Sequence, residues 1–548
     1  MSVSPSQPIL ILKEGSTETK GREALRNNLE AARVVAELVK TSLGPRGMDK
    51  MLVDSLGDVT ITNDGATMLK QLDVQHPAAK MMVEISKATD SEVGDGTTSA
   101  VVLTGALLDK AEELLDKDVH PTLIVDGYQA AAEKALTLLD EIAIKVDPAD
   151  KAWLKKIAKT SLASKIVSQD SEQLSDLVVD ALTQVAEKMG QRYKVDVDNV
   201  KVEKKPGRSL SETSLVKGIV VDKEVVHAAM PKRVENAKIA LINAPLEIEK
   251  TEISAEIRIN DPAQMKAFLD EESRMLKSMV DKISAAGANV VFCQKGIDDI
   301  AQHYLAKAGI LAVRRVKESD MSRLAKSTGG RIVTNLDDLT SNDLGYAALV
   351  EERKIEEDKW VFVEGAKNPK AVTILIRGGS QRVVDEAERA VHDAVMVVKD
   401  VMENPKVVVG GGALESELSY RIREWAHTLS GREQLAALAF ADSLETIPLT
   451  LAVNAGMDPI DTQVELRAAH GKGSISTGVN VLAGKIGDLA KEEIYEPAAV
   501  KTQIIKAATE AAVMILRIDD VIAAKSTSKE SGKGGKEGEG SPGGMEGY

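Results

Sequence analysis

Gly94-Asp95-Gly96-Thr97-Thr98-Ser99 interrupts a helical pattern that Pro77 opens and Thr97–Lys117 resumes, with apolar residues at Val101, Leu103, Leu107, Leu108, Leu114 and Leu115. The hexapeptide has the parts of a phosphate cradle. Two glycines admit close backbone approach, three hydroxyls donate, and a helix start points N–H groups and its dipole at an anion. Asp95 adds an oxygen ligand of the kind Mg²⁺ takes. No Gly-x-x-x-x-Gly-Lys-Ser/Thr occurs, and Ser99 stands where a dinucleotide fingerprint needs its third glycine, so the P-loop and Rossmann readings fail. A helix cap punctuated by glycine accounts for the same residues. Three other loops resemble this one: Leu43-Gly44-Pro45-Arg46-Gly47, Asn63-Asp64-Gly65-Ala66, and Val409–Gly412 before Ala413. Each alone reads as a turn, but all lie in the helical ends of the chain, which lets them converge.

Outward from this segment the texture changes twice. Gly21–Ser42 places Leu25, Leu29, Ala32, Val35 and Val39 at helical spacing, and Met51–Ser55 with Asp58–Thr62 reads as a hairpin. The first ~148 residues are mostly helical. From Asp147 a helical stretch runs to Met189 and gives way to β-rich runs at Val195–Val202 and Ile219–Val221. Strands such as Lys238–Ile242, Asn289–Cys293 and Leu311–Val316 then alternate with helices such as Ala263–Ile283 and Ile297–Ala308, an α/β texture. The strand Val372–Arg377, the helix Gln381–Met402 and the strand Val407–Val409 follow, and long helices return to Ala524. The fold class is multidomain, α and α/β, with a different middle inserted into a helical terminal domain. Ser526–Tyr548, with 8 glycines in 23 residues, reads as a disordered tail.

Composition sets the outer limits. The 548 residues exceed a single core of ~150 residues, and 43% hydrophobic content suits globular domains. With 70 Lys+Arg against 85 Asp+Glu the net charge is −15, which argues against nucleic-acid or anionic-lipid partners. Cys293 is the only cysteine, so no internal disulfide and no Cys-based zinc site forms within one chain. Uncharged runs such as Thr97–Leu108 and Thr446–Met457 fall short of the ~18–20 residues of a membrane span, and Met1–Leu12 lacks the basic start of a secretory signal. These features read as a cytoplasmic protein with no membrane partner.

Several side chains have two readings. Asp393 falls on the polar face of its helix with Glu386 and Arg389, where a carboxylate is ordinarily solvated. Its place just before Gly410–Gly412 lets it swing over a nucleotide, where it and Asp64 would orient water while Mg²⁺ on Asp95 offsets phosphate charge. Lys165 reads as a surface lysine or as a contact to a γ-phosphate. The seven histidines show no ligand spacing, and Cys293, after an apolar strand, reads as a buried hydrophobe. Within Leu246–Lys282, Asp261 can cap a helix that Pro262 opens. Its Met265, Phe268, Leu269, Met275 and Leu276 read either as packing on their own domain or as an arm that contacts other proteins.

Thr41–Met51 (TSLGPRGMDKM), Val59–Ala66 (VTITNDGA), Gly94–Ser99 (GDGTTS), Val226–Arg233 (VHAAMPKR), Ala387–Ala394 (AERAVHDA) and Gly410–Ala413 (GGGA) together resemble the group II chaperonins, in order across Leu10–Ala524. The resemblance implies a mainly helical equatorial ATPase domain (1–148 and 407–525), a small α/β intermediate domain (149–218 and 371–406), and an inserted α/β apical domain (219–370) whose helical protrusion, about 246–279, is a built-in lid. It further implies that Leu43, Gly44, Pro45, Gly65, Gly96, Thr97, Thr98, Ser99, Gly411 and Gly412 line ATP, that Asp95 holds Mg²⁺, and that Asp64 and Asp393 place the hydrolytic water. Ser164 and Lys165 would belong to a nucleotide-sensing loop, Glu496 would approach the ribose, and the five apolar residues of 265–276 would meet clients. Ala163, Val409 and Asn480 depart from the family pattern, and the three carboxylates do not.

The implied function is an ATP-dependent molecular chaperone. Its partners would be like or paralogous subunits in a double ring of about eight or nine per ring, non-native client proteins, and no separate co-chaperonin. A non-catalytic assembly protein with nucleotide as structural ligand is the second reading; a metabolic kinase would need an acceptor pocket that the sequence does not reveal.

Overall fold

The computed structural model describes residues 17–190, 192–248, 262–366 and 370–523. The expected tail 526–548, the Asp261 cap and residues 249–261 of the expected protrusion lie outside the described residues.

Helical periodicity becomes packing first in the Gly21–Lys40 helix, where Leu25, Leu29, Ala32, Val35 and Val39 are all buried. They face the Thr97–Leu115 helix, which is apolar almost all round and buried along Ala100–Leu108. Gly105 allows the approach, because a Cβ there would sit 2.4 Å from the Cβ of Ala36. The helices Pro77–Val93, Pro121–Ile142, Gly431–Leu444 and Ala498–Leu516 complete this core. The two ends of the described chain meet, with Thr17–Lys20 antiparallel to Asp520–Ala523.

One core cluster draws on residues between Leu25 and Val200 and again between Val372 and Leu516; a second runs from Ile219 to Ala371. The first continues without a break past 148 and 406. It includes Val200 of the Val200–Pro206 strand and Val372, Ile374 and Ile376 of the Val372–Gly378 strand, which with Ser214–Val216 form a three-stranded sheet near the Gln381–Glu403 helix. The second cluster surrounds a seven-stranded sheet. Leu311–Val313, Val290–Cys293 and Arg233–Ile242 run parallel, and Gly345–Ile355, Asp358–Ala366 and Gly218–Val221 continue it antiparallel.

The Pro262–Ala285 helix has two characters. Met265, Phe268, Leu269 and Met275 are exposed, whereas Leu276 is 1% exposed and belongs to the second core with Val280 and Ile283. Leu276 is therefore not available to clients, a correction to the expectation, because its turn is where the helix meets the domain. Leu276→Ala should cost roughly 2–3 kcal/mol, and Met275→Ala less than about 0.5 kcal/mol. Equilibrium denaturation reads the difference, and equal costs would contradict this placement.

Among the described residues one helical stretch, Gly431–Asn454, has the length and hydropathy of a membrane span, but 72% of its apolar 18-residue window is buried within the fold. Its Glu445 accepts hydrogen bonds from Arg467 and Gln463, so it reads as a core helix. Cys293 is buried as expected, and burial pushes its thiol up to about 11.

Candidate active site

Five segments of the chain meet at one cleft. Asp64 caps the Gly65–Gln71 helix, its carboxylate accepting from Thr67 N at 2.8 Å and Ala66 N at 3.3 Å. The Thr97 hydroxyl also donates to it, at 3.0 Å, tying this helix start to that of Thr97–Leu115. Glycine is required at 65, since a Cβ there would lie 2.9 Å from the Thr98 nitrogen. Gly94 and Gly96, at φ +68° and +78°, turn the chain from one helix into the next. Asp95 between them accepts from Gly96 N and from the Ser161 hydroxyl, both at 2.7 Å.

Gly96 has no side chain to cap the helix it starts, and Gly412 likewise leaves the Ala413–Ala426 helix without a side-chain cap. The first-turn N–H groups there keep their capacity for an anion. Asn454 Nδ2 fixes the 41–44 loop by donating to the carbonyls of Leu43, at 2.9 Å, and Lys40, at 3.1 Å. Asn63 Nδ2 donates to the Ser164 carbonyl at 2.6 Å.

Asp393 and Lys165 both depart from their ordinary sequence readings. Asp393 forms an ion pair with Lys165, their side chains 10% and 7% exposed. The polar face of the Gln381–Glu403 helix covers the cleft instead of meeting solvent. Burial raises the Asp393 carboxyl well above the usual range; Lys165 opposes this, and the charges of Asp95 and Asp64 add to it. Burial works against charge on Lys165, but Asp393, Asp95 and Asp64 outweigh it and push its pKa up. The site thus sets three carboxylates against one ammonium, which leaves negative charge to spare at Asp95, the candidate ligand of a divalent cation.

The cleft has a volume of about 70 Å³ and is lined by Leu43, Gly44, Asp64, Asp95, Gly96, Thr97, Thr98, Ser99, Ser164, Lys165 and Asp393, together with Ser42 and Asn63. The sequence reading did not select those last two, or Ser161; Asn63 stands beside Asp64 in a motif that reads equally as a turn. Pro45, Gly65, Gly411, Gly412 and Glu496 lie outside this lining. Pro45 is exposed, Gly412 packs on Pro448, and Glu496 is held at 2.7 Å by the buried Lys501, which also pairs with Glu415 at 2.8 Å.

A cleft at the uncapped start of the Thr97–Leu115 helix, lined by Asp64, Asp95 and Asp393, is the setting for the comparisons with known proteins. The chain belongs to the TCP-1/cpn60 chaperonin family, which matches residues 35–526. It is 60% identical over 538 residues to thermosome subunit alpha of Archaeoglobus fulgidus, covering 98% of this chain and 99% of that protein. It is 59% identical over 539 residues to thermosome subunit beta of Thermococcus kodakarensis, covering 98% and 99%. Its identity to the thermosome subunit of Pyrococcus abyssi is 58% over 548 residues, covering 100% and 99%. Its function is accordingly that of a molecular chaperone of the group II chaperonin class.

Proposed function

We propose that this chain is an ATP-hydrolysing subunit of a cytoplasmic double-ring chaperonin, in which Mg-ATP turnover drives a built-in lid over a non-native protein. The observation that carries this reading is the convergence of Asp64, Asp95, Asp393 and Lys165 on the uncapped start of the Thr97–Leu115 helix. Residues 1–148 with 407–525 form the equatorial domain, 149–218 with 371–406 the intermediate domain, and 219–370 the apical domain. The separate core from Ile219 to Ala371 supports the last of these. The helix of the protrusion, with Met265, Phe268, Leu269 and Met275 exposed, supports a client-facing arm that needs no separate co-chaperonin.

Backbone N–H groups of Thr97, Thr98 and Ser99 bind phosphate oxygens, the 43–44 loop closes one side, and Gly411, Gly412 and Glu496 lie behind. Asp95 holds Mg²⁺, which when bound supplies charge neutralisation for the phosphates. Asp64 and Asp393 orient the attacking water. The cleft is smaller than the ~300 Å³ from which small-molecule sites begin, and the Lys165–Asp393 pair spans it. Nucleotide therefore enters when the Gln381–Glu403 helix draws back from the Lys151–Ala163 helix, which links occupancy to movement of the intermediate domain as a two-state element. Rings contain eight or nine like or paralogous subunits.

The test is a client assay. The purified assembly should suppress aggregation of a chemically denatured protein and release it folded on addition of Mg-ATP, with end-on ring views in electron micrographs. Monomeric particles, or release that ignores ATP, would overturn the reading. Phe268→Ser with Leu269→Ser should weaken client capture severalfold at unchanged stability, because both side chains are exposed. Unchanged capture would remove this face from the client surface.

A further inference from the structure

A second cavity, of about 400 Å³, adjoins the cleft and shares Asp64 and Asp393 with it. These two carboxylates form the partition between a narrow anion cradle and a wider chamber. A single water needs ~10–15 Å³, so the chamber has room for a connected chain of them. It lies where the Gly65–Gln71 and Pro77–Val93 helices, the Val200–Pro206 strand and the Glu318–Thr328 and Gln381–Glu403 helices come together.

Its lining excludes an anion as occupant. Both guanidinium groups are engaged, Arg389 by Glu386 and Arg323 by Asp320 and the Asp198 carbonyl. Asp64, Asp90, Asp198, Glu388 and Asp393 leave the walls acidic. Asp90 and His392 are distinctive among these residues. Neither side chain makes a hydrogen bond or ion pair within the described residues, Asp90 is half-buried, and His392 is exposed. Burial, and next the Asp64 charge, raise the Asp90 carboxyl above its ordinary value, while the nearby His392 works the other way. Asp90 thus holds a proton better than a surface carboxylate does, beside a ring that reaches solvent.

We propose that this chamber is the water and proton compartment of the ATPase: it supplies the attacking water to Asp64 and Asp393, and Asp90 and His392 pass that water's proton to solvent. The inference rests on the ATP-hydrolysis reading above. In the step, the water oxygen bonds to the γ-phosphorus, and the bond from that phosphorus to the bridging oxygen breaks, its electron pair leaving on ADP. The proton of the attacking water goes to the Asp393 carboxylate, then through chamber water to Asp90 and on to His392. Asp90 and His392 act through water and are positioning residues.

Asp90→Asn and His392→Gln in the full assembly test this. His392 is exposed and makes no hydrogen bond among the described residues, so its replacement does not endanger folding. The expected result is unchanged ATP affinity with a single-turnover hydrolysis rate lowered roughly tenfold, less than the hundredfold or more that a direct general base contributes. Added imidazole, a small proton carrier, should restore the rate of His392→Gln. If the wild type hydrolyses ATP and both variants match it, the compartment is wrong and the ATPase reading stands. A rate loss that tracks loss of ATP affinity and ignores imidazole also overturns the compartment. No hydrolysis by the wild type would remove the ATPase reading and this inference with it.

Discussion

Asp393→Asn should bind ATP within a few-fold of the wild-type affinity and hydrolyse it about 10²–10³-fold more slowly, the scale of losing a positioned base. Asparagine keeps the shape of the side chain and can still accept a hydrogen bond from Lys165, so the packing of the Gln381–Glu403 helix should survive. What is lost is the negative charge to which the proposed mechanism gives the orienting of water and the uptake of its proton. Asp393→Ala is less diagnostic. It leaves the ammonium of Lys165 buried without its nearest partner, so a fall in activity would mix chemistry with strain. Equilibrium binding and single-turnover phosphate release on the same preparation separate the two steps. Turnover near the wild-type rate in Asp393→Asn would remove this residue from the chemistry.

Lys201→Met should have the largest effect on stability, about 3–5 kcal/mol, because it strands charge inside the protein. Lys201 lies on the Val200–Pro206 strand and is 5% exposed. Its ammonium donates to the Val220 carbonyl at 2.7 Å and pairs with Asp320 at 2.7 Å and Glu203 at 2.8 Å. Asp320 is fully buried, and its second oxygen has no hydrogen-bond partner among the described residues. Glu203, Asp222 and Asp320 bring carboxylate oxygens within 4.8 Å of one another, a grouping that resembles a cation site. Lys201, with Lys317 on Asp222 and Arg323 on Asp320, already balances those charges. Removing the ammonium alone is therefore costly, whereas Lys201→Met combined with Asp320→Leu should recover most of the loss, as hydrophobic replacement of a whole buried pair often does. Chemical denaturation of the single and double variants measures both. A single variant within 1 kcal/mol of wild type would contradict the account of this cluster.

Much of the fold was legible in the sequence because its signals are local. Leu25, Leu29, Ala32, Val35 and Val39 recur at helical spacing, and all are buried. Leu56-Gly57 separates two short β runs that pair as a hairpin. Glycines at 94 and 96 end one helix and begin another because both adopt positive φ. What escaped local reading depends on which element packs where. Asp393 lies on the polar stripe of an amphipathic helix, and only the tertiary fold shows that this stripe faces a cleft instead of water. Lys165 has no sequence feature to distinguish it from a surface lysine, since its partner stands 228 positions away. Leu276 sits within an exposed apolar series, yet the turn carrying it meets the domain core. Ser161 and Asn63 escaped because a hydroxyl or amide that supports an acidic group or a loop has no motif of its own.

The central claim is that the acidic cleft turns over Mg-ATP, and phosphate release by the purified wild-type assembly tests it most directly. With Mg²⁺ present the account expects sustained release through many turnovers, and chelation by EDTA should reduce it to background. Background release in both conditions, or equal release in both, would contradict it.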